Sequence, residues 1–245
     1  MDRNTNLREW DSSLTALVDG TNMFRCCYNL EDFRASTPNL TNATGMFERC
    51  GLTYTSNTYY KLNTENIVTG DRMFAYNPHF IIVNDRTTHS FDALESARYM
   101  FAYTGIQGAT LAYNSGYIPI PQYYNFASLK DATGMYKGAR FNASCSNLPI
   151  PANLENAEAM FAESDVTSIG GTYNNEIAPT SVTNFSYGFY KCRNLSQCYI
   201  NLSNECDCSY MFYYSTAQFV GMPLEKIQSG YMMFAYSAIS ALANV

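Results

Sequence analysis

Eight cysteines, two histidines and 21 tyrosines are the side chains of this sequence that could do chemistry. The cysteines are Cys26, Cys27, Cys50, Cys145, Cys192, Cys198, Cys206 and Cys208. Their spacing is irregular, and a chain this long does not need disulfide staples, so reduced, half-buried thiols are expected. A zinc centre needs four ligands in close pairs. Cys206 and Cys208 are too close for that and have no second pair nearby, and only His79 and His89 could add to them. The nucleophile-elbow, zincin and P-loop patterns are absent. The reading is therefore no metal, no cofactor, no catalytic residue and no enzyme.

The tyrosines point to recognition instead. Tyr113, Tyr117, Tyr123 and Tyr124 lie in the segment YNSGYIPIPQYY, which Pro119 and Pro121 hold extended and keep out of a central strand. Tyr173 lies in the turn-rich GGTYNN, and Tyr54, Tyr59 and Tyr60 lie in a similar polar stretch. Tyrosine mixed with Asn and Ser makes an adaptable contact surface of low entropic cost. These eight tyrosines are candidate contacts for a protein or glycan ligand; the alternative is that they only cover an edge of the fold.

The elements that would carry them come from an internal repeat. A Met-aromatic pair or close variant recurs with its second member at Phe24, Phe47, Phe74, Phe101, Tyr136, Phe161, Tyr190, Phe212 and Phe234. The intervals are 23, 27, 27, 35, 25, 29, 22 and 22 residues, about 26 on average. Seven places before the aromatic stands an aliphatic, as at Leu40, Ile67 and Leu94. Val182 comes one place early in the seventh unit, and Glu205 fills the slot in the eighth. Four places before it the residue is small, as at Gly20, Ala43 and Ala97. Positions −7, −4, −1 and 0 share one face at 3.6 residues per turn, which predicts a short helix. Short β-rich stretches follow, such as Leu52–Thr55, Phe80–Val83, Thr110–Tyr113, Cys198–Leu202 and Phe219–Met222. Tyr76, Tyr103, Tyr214 and Tyr236, two places after the aromatic, are expected to bury their rings and keep their hydroxyls wet.

One unit cannot stand alone. Its four to six large anchors stabilise it by roughly 1.5–3 kcal/mol each. Ordering about 26 residues costs roughly 1–2 kcal/mol apiece. Stacked units share both faces and build a continuous core. The expected fold is an α/β repeat: a right-handed solenoid with short helices on one side and a parallel β-sheet on the other. Residues 1–13, with Trp10, form an N-terminal cap, and residues 14–245 form nine repeats.

The segments NATGMFERCGL (Asn42–Leu52) and NMFRCCYNL (Asn22–Leu30) resemble the Met-Phe core of BspA-like leucine-rich repeats. These are repeats of about 26 residues found in bacterial surface lipoproteins and some phage and protist proteins. The resemblance implies a leucine-rich-repeat solenoid used for adhesion or protein contact, with no catalytic residue to transfer.

Composition narrows the partners. Charged residues are 15%, the formal charge is −6, and no Lys/Arg cluster exists, which excludes nucleic acid. No run of 18 apolar residues predicts a membrane span. Residues 1–10 have no apolar core of a secretory signal. Residues 235–245 are uncharged, so Tyr236, Ile239, Leu242 and Val245 are expected either to continue into more chain or to dock on a partner. Two readings follow. The first is a non-catalytic contact or adhesion module on a cell surface or virion. The second is a self-associating subunit of a virion, fibre or filament, whose partners are further copies of itself.

Overall fold

The computed structural model describes residues 6–52, 62–78, 91–105, 126–140, 151–170 and 179–244. Within them the chain winds as a parallel β-solenoid of about eight turns. Isolated parallel bridges link Asp19, Asn42, Thr69, Ser96, Asp131, Asn156, Asn184 and Asp207 in one line along the axis. A second line consists of short strands, and among the described residues those that follow Phe24, Phe161, Phe189, Phe212 and Phe234 begin seven or eight residues after the ring. It begins with β1 (Glu9–Trp10) on β2 (Asp32–Phe33). Further along it holds β3 (Ser168–Ile169), β4 (Gln197–Tyr199), β6 (Phe219–Gly221) and β8 (Ala241–Ala243), paired in that order. β5 (Cys206–Asp207) and β7 (Ile227–Ser229) extend the first line. Every pairing is parallel. β4 and β6 fall on two of the expected β-rich stretches. The other three run largely outside the described residues.

The core is a column of nine aromatic rings, one per coil. Phe24, Phe47, Phe74, Phe101, Tyr136, Phe161, Phe189, Phe212 and Phe234 stack with centroids 5.4–5.8 Å apart and planes within 15°. Trp10 meets the first ring edge-on at 5.3 Å. The aliphatic column beside it, Leu40, Ile67, Leu94, Leu129 and Leu154, is fully buried. The small residue at −4 makes room for the next coil's methionine. A Cβ on Gly20 would stand 3.0 Å from Sδ of Met46, and one on Gly70 would stand 3.4 Å from Sδ of Met100.

The expected short helices are not there. Among the described residues the only helical element is the 3-10 turn Leu224–Lys226, and the Met-aromatic segments are strings of tight turns. In every unit the residues two before and two after the ring have left-handed φ, for example Asn22 and Cys26 (56° and 63°) and Tyr99 and Tyr103 (55° and 54°). A right-handed helix cannot pass through such residues. The N–H groups alternate as well. Those of Gly20, Asn22, Phe24 and Cys26 donate across to the next coil at 2.8–2.9 Å, while those of Met23, Arg25 and Cys27 close local four-residue turns at 3.0–3.1 Å. Turns that return a residue to the interior every third or fourth position leave the same stripe in the sequence as a helix does. That coincidence is why the periodicity read as helical.

The seventh unit is also in a different register from the one expected. Phe189, not Tyr190, is its ring in the column, 5.4 Å from both Phe161 and Phe212. Val182 then stands in the −7 slot, buried with the other aliphatics. In the eighth unit Cys206 replaces the missing aliphatic. It is fully buried, and a register shift beside Asp207 sets it opposite Ile227.

Candidate interaction surface

The turn face carries its own ladders. At −5 stands the first line of bridges, and the side chains there are Asp, Asn, Ser or Thr. Oδ1 of Asp19, Asn42, Asp131, Asn156, Asn184 and Asp207 each accepts the N–H two residues on, at 2.8–3.1 Å. These Asx turns start six of the Met-aromatic segments. At +3 stand buried donors. Cys50 Sγ donates to the Phe24 carbonyl, Asn77 Nδ2 to that of Phe47 and Cys192 Sγ to that of Phe161, at 2.8–2.9 Å. The thiols are thus structural. Burial pushes Cys192 up to about 12 and raises Cys50 and Cys198 well above the usual thiol range. All seven described cysteines are free, and Cys145 lies outside the described residues. No group of three or more His, Cys, Asp or Glu among the described residues could hold a metal ion.

The outward positions −2, +1 and +2 change character along the molecule. In the early coils Arg25, Glu48, Arg49 and Arg72 are charged. Glu48, almost fully buried, pairs with Arg25 at 3.1 Å and Arg49 at 3.9 Å, and Arg49 lies over the Tyr76 ring at 4.8 Å. In the middle coils Tyr99 and Tyr103 lie over Gly134 and Gly138, whose positive φ and lack of a Cβ admit the rings. Tyr103 also donates to Glu163 at 3.4 Å; partial loss of water around the hydroxyl, then that carboxylate, push it up to about 12.

In the last three coils six of these nine positions are tyrosines, the others being Lys191, Met232 and Ala235, and Tyr231 adds a seventh at −3. Tyr187 stacks on Tyr210 at 4.8 Å, Tyr190 on Tyr213 at 5.6 Å, and Tyr214 on Tyr236 at 4.7 Å. Edge contacts join the stacks: Tyr187 to Tyr190, Tyr210 to Tyr213, and Tyr213 to both Tyr214 and Tyr236. Tyr231 adds an edge contact to Tyr210 at 5.4 Å. The result is one continuous seven-tyrosine surface. Crowding that strips water, then the neighbouring phenols, raises the hydroxyls of Tyr210 and Tyr213, so both stay protonated donors at neutral pH. Tyr187, Tyr214, Tyr231 and Tyr236 are 37, 47, 63 and 67% exposed. Tyr76, Tyr103, Tyr214 and Tyr236 therefore do not bury their rings as expected. Their left-handed backbone turns the side chain outward, and they find partners sideways, on the neighbouring coil's tyrosine.

Of the residues singled out in the sequence, Tyr54, Tyr59, Tyr60, Tyr113, Tyr117, Tyr123, Tyr124, Tyr173 and Val245 lie outside the described residues. Tyr236 joins the tyrosine surface. Leu242 is exposed on β8, and Ile239 packs partly buried against the core. Tyr187, Tyr190, Tyr210, Tyr213 and Tyr231 were missed. Their signal was Tyr at −2 (Tyr187, Tyr210) and at +1 (Tyr190, Tyr213), visible once Phe189 is taken as the ring; Tyr231, at −3, has no such repeat.

A family model described as "Mycoplasma protein of unknown function, DUF285" matches residues 2–110 and 122–223. The chain belongs to the DUF285 family. The match includes six of the nine Met-aromatic units from Phe24 to Phe161 and the seventh and eighth beyond them. Within DUF285, then, the ring column from Phe24 to Phe212 and the tyrosines from Tyr187 to Tyr214 are part of the matched repeat, while Tyr231 and Tyr236 follow it. No curated protein and no solved structure matches the chain. No helix among the described residues is long and apolar enough to cross a membrane.

Proposed function

We propose that this chain is a non-catalytic module for protein contact or adhesion, displayed on an exposed surface such as a cell surface or a virion. The observation that carries this reading is the continuous tyrosine surface on a solenoid that holds its rings in fixed register. Tyrosines supply large, rigid contact area at little entropic cost, and they dominate the energetics of protein interfaces. The Met-Phe core of Asn42–Leu52 and the spacing of about 26 residues support a BspA-like relationship, which favours the same role. The absence of nucleophile, zincin and phosphate-loop patterns supports a non-catalytic one.

The test is binding of purified chain to immobilised extracellular-matrix proteins and to a glycan array, with a Tyr214→Ser/Tyr236→Ser variant alongside. Wild type is expected to bind at least one surface and the variant to lose at least tenfold in affinity. Absence of wild-type binding anywhere, or a variant that binds equally well, would sink the reading.

A further inference from the structure

We propose that Cys206 and Cys208 are an oxidation site: a thiol pair that closes to a disulfide across Asp207 when the chain meets a small-molecule disulfide such as oxidised glutathione.

The eighth coil is where the repeat loses a residue. In the other coils the aliphatic at −7 and the residue at −4 stand three places apart, as in Leu40 with Ala43 or Ile67 with Gly70. In the eighth both core positions are cysteine, and only Asp207 separates them. The neighbouring strand registers the loss: the step from Cys206 to Asp207 is matched by the two-residue step from Ile227 to Ser229. Both cysteines are fully buried, so both thiols sit in the same interior. Cα atoms two places apart are at most about 6.6–7.2 Å from each other, and a disulfide spans about 4.4–6.8 Å. Closing the bond therefore asks for a small kink in a segment that already departs from the regular ladder.

Hydrogen bonding sets this pair apart from the other thiols. Cys50 and Cys192 donate to carbonyls of the preceding coil, each at 2.9 Å. Cys208 instead donates to Cys206, whose own S–H is turned to the Asp207 carbonyl at 3.6 Å. The bond from Cys208, opposed by burial and assisted by the Phe185 N–H, holds Cys206 below the usual thiol range. The same bond, then burial, raises Cys208. Cys206 is thus the attacking thiolate and Cys208 the resolving thiol. In the first step the Cys206 thiolate attacks one sulfur of the small disulfide, forms a mixed disulfide and releases one thiolate. In the second, Cys208 gives up its proton, attacks Sγ of Cys206 and expels the other half. The chain loses two electrons and two protons, and one small disulfide becomes two thiols. Entry is through the ninth coil. Its strand β7 lies over β5, and its Ile227 and Phe234 are only partly buried, so local opening of that coil bares the sulfurs. No third ligand that would make a metal centre of the pair stands beside it among the described residues.

The test is a time course of the folded full chain with oxidised glutathione in mildly alkaline buffer, quenched with acid, unfolded, alkylated and cut after glutamate. Cleavage after Glu205 and Glu225 gives peptide 206–225, which holds no other cysteine. Mass spectrometry is expected to find that peptide unalkylated and two hydrogens lighter. It should reach that state at least tenfold faster than any other pair of cysteines in the chain becomes joined, and dithiothreitol should restore both alkylation sites. Cys208→Ser should stop after the first step, with glutathione held on Cys206. Cys206→Ser should take up glutathione at least tenfold more slowly. Circular dichroism shows whether each variant is folded, and the wild-type mapping decides the matter without them. Peptide 206–225 carrying two alkyl groups after the time course overturns the proposal. So does glutathione that stays on the wild-type pair without closing, or a bond from Cys206 or Cys208 to another cysteine. The readout is a covalent bond and not binding, so this proposal and the contact reading can fail separately.

Discussion

Phe185 lies where a Cβ on Gly188 would have to stand, its Cδ2 and Cε2 filling that space. Elsewhere in the solenoid the position of Phe185 is small and that of Gly188 is methionine, as in Ala43 with Met46 or Ala97 with Met100. The seventh coil has exchanged the two sizes, and the total volume is kept. Gly188→Met alone should overfill the coil and destabilise it by about 1–3 kcal/mol. Phe185→Ala alone should cost about 3–5 kcal/mol through the cavity it leaves. The double change Phe185→Ala/Gly188→Met restores the pattern of the other coils. It should recover at least half of the summed loss in urea unfolding, and a strictly additive result would show that the two sites do not share one space.

That exchange also shows what the sequence made legible. The repeat, its length and eight of the nine core rings follow from the Met-aromatic spacing, because each ring must find the ring of the next coil. The seventh ring was misplaced because Phe189 and Tyr190 are adjacent aromatics, and the small-residue rule favoured Ser186 over Phe185. Only the packing of Phe185 against Gly188 resolves the register. The turn conformation was hidden for a different reason. A left-handed residue at −2 and +2 is usually announced by glycine, yet this chain uses glycine there only at Gly45, Gly134 and Gly138. The tyrosine surface was hidden in turn, since a helical reading assigns Tyr214 and Tyr236 to a half-buried stripe.

The left-handed positions give the second prediction. Ala159 has φ 52°, and its counterpart one coil earlier is Gly134 at φ 58°. A non-glycine residue pays roughly 1–2 kcal/mol for this conformation, which exceeds the entropic cost of glycine by a few tenths to about 1 kcal/mol. Ala159→Gly should therefore raise the melting temperature. Gly138→Ala should lower it by more, because its new methyl would meet the Tyr103 ring as well as the positive φ of 63°. Differential scanning calorimetry of both variants checks the opposite signs.

The buried thiols predict an alkaline limit to stability. Cys192 is pushed up to about 12 from an ordinary value of 9.0, so in the folded chain it stays a thiol where the unfolded chain would ionise it. The unfolded state then holds fewer protons, and stability falls as pH rises. The contribution is whole below about pH 9 and is lost between about pH 9 and 12, at about 1.4 kcal/mol per pH unit. Cys192→Ser keeps a donor toward the Phe161 carbonyl and does not titrate. Cys50 acts alike in both proteins, and Cys198 is raised chiefly by its own burial and only secondarily by Cys192, so the difference between wild type and variant reports mainly Cys192. That difference should be flat from about pH 6 to 8.5 and should then shift in favour of the variant, by urea titration at each pH.

The Asx-turn ladder gives the last prediction. Six of its coils place Asp or Asn at the bridge position, but the third and fourth have Thr69 and Ser96 there. The fourth coil is served from its neighbour: Oδ1 of Asp71 accepts the N–H of Arg98 at 2.9 Å and the hydroxyl of Ser96 at 2.6 Å. The carboxylate of one coil thus replaces the missing side chain of the next. Asp71→Ala should leave both donors without that acceptor, at a cost of about 1–3 kcal/mol. Asp71→Asn retains an amide oxygen in the same place and should cost less than half as much. Amide hydrogen exchange reads the local event: the Arg98 N–H should lose protection in Asp71→Ala and keep most of it in Asp71→Asn. Equal losses in the two variants would mean that Asp71 acts through its charge rather than as the acceptor that closes the turn.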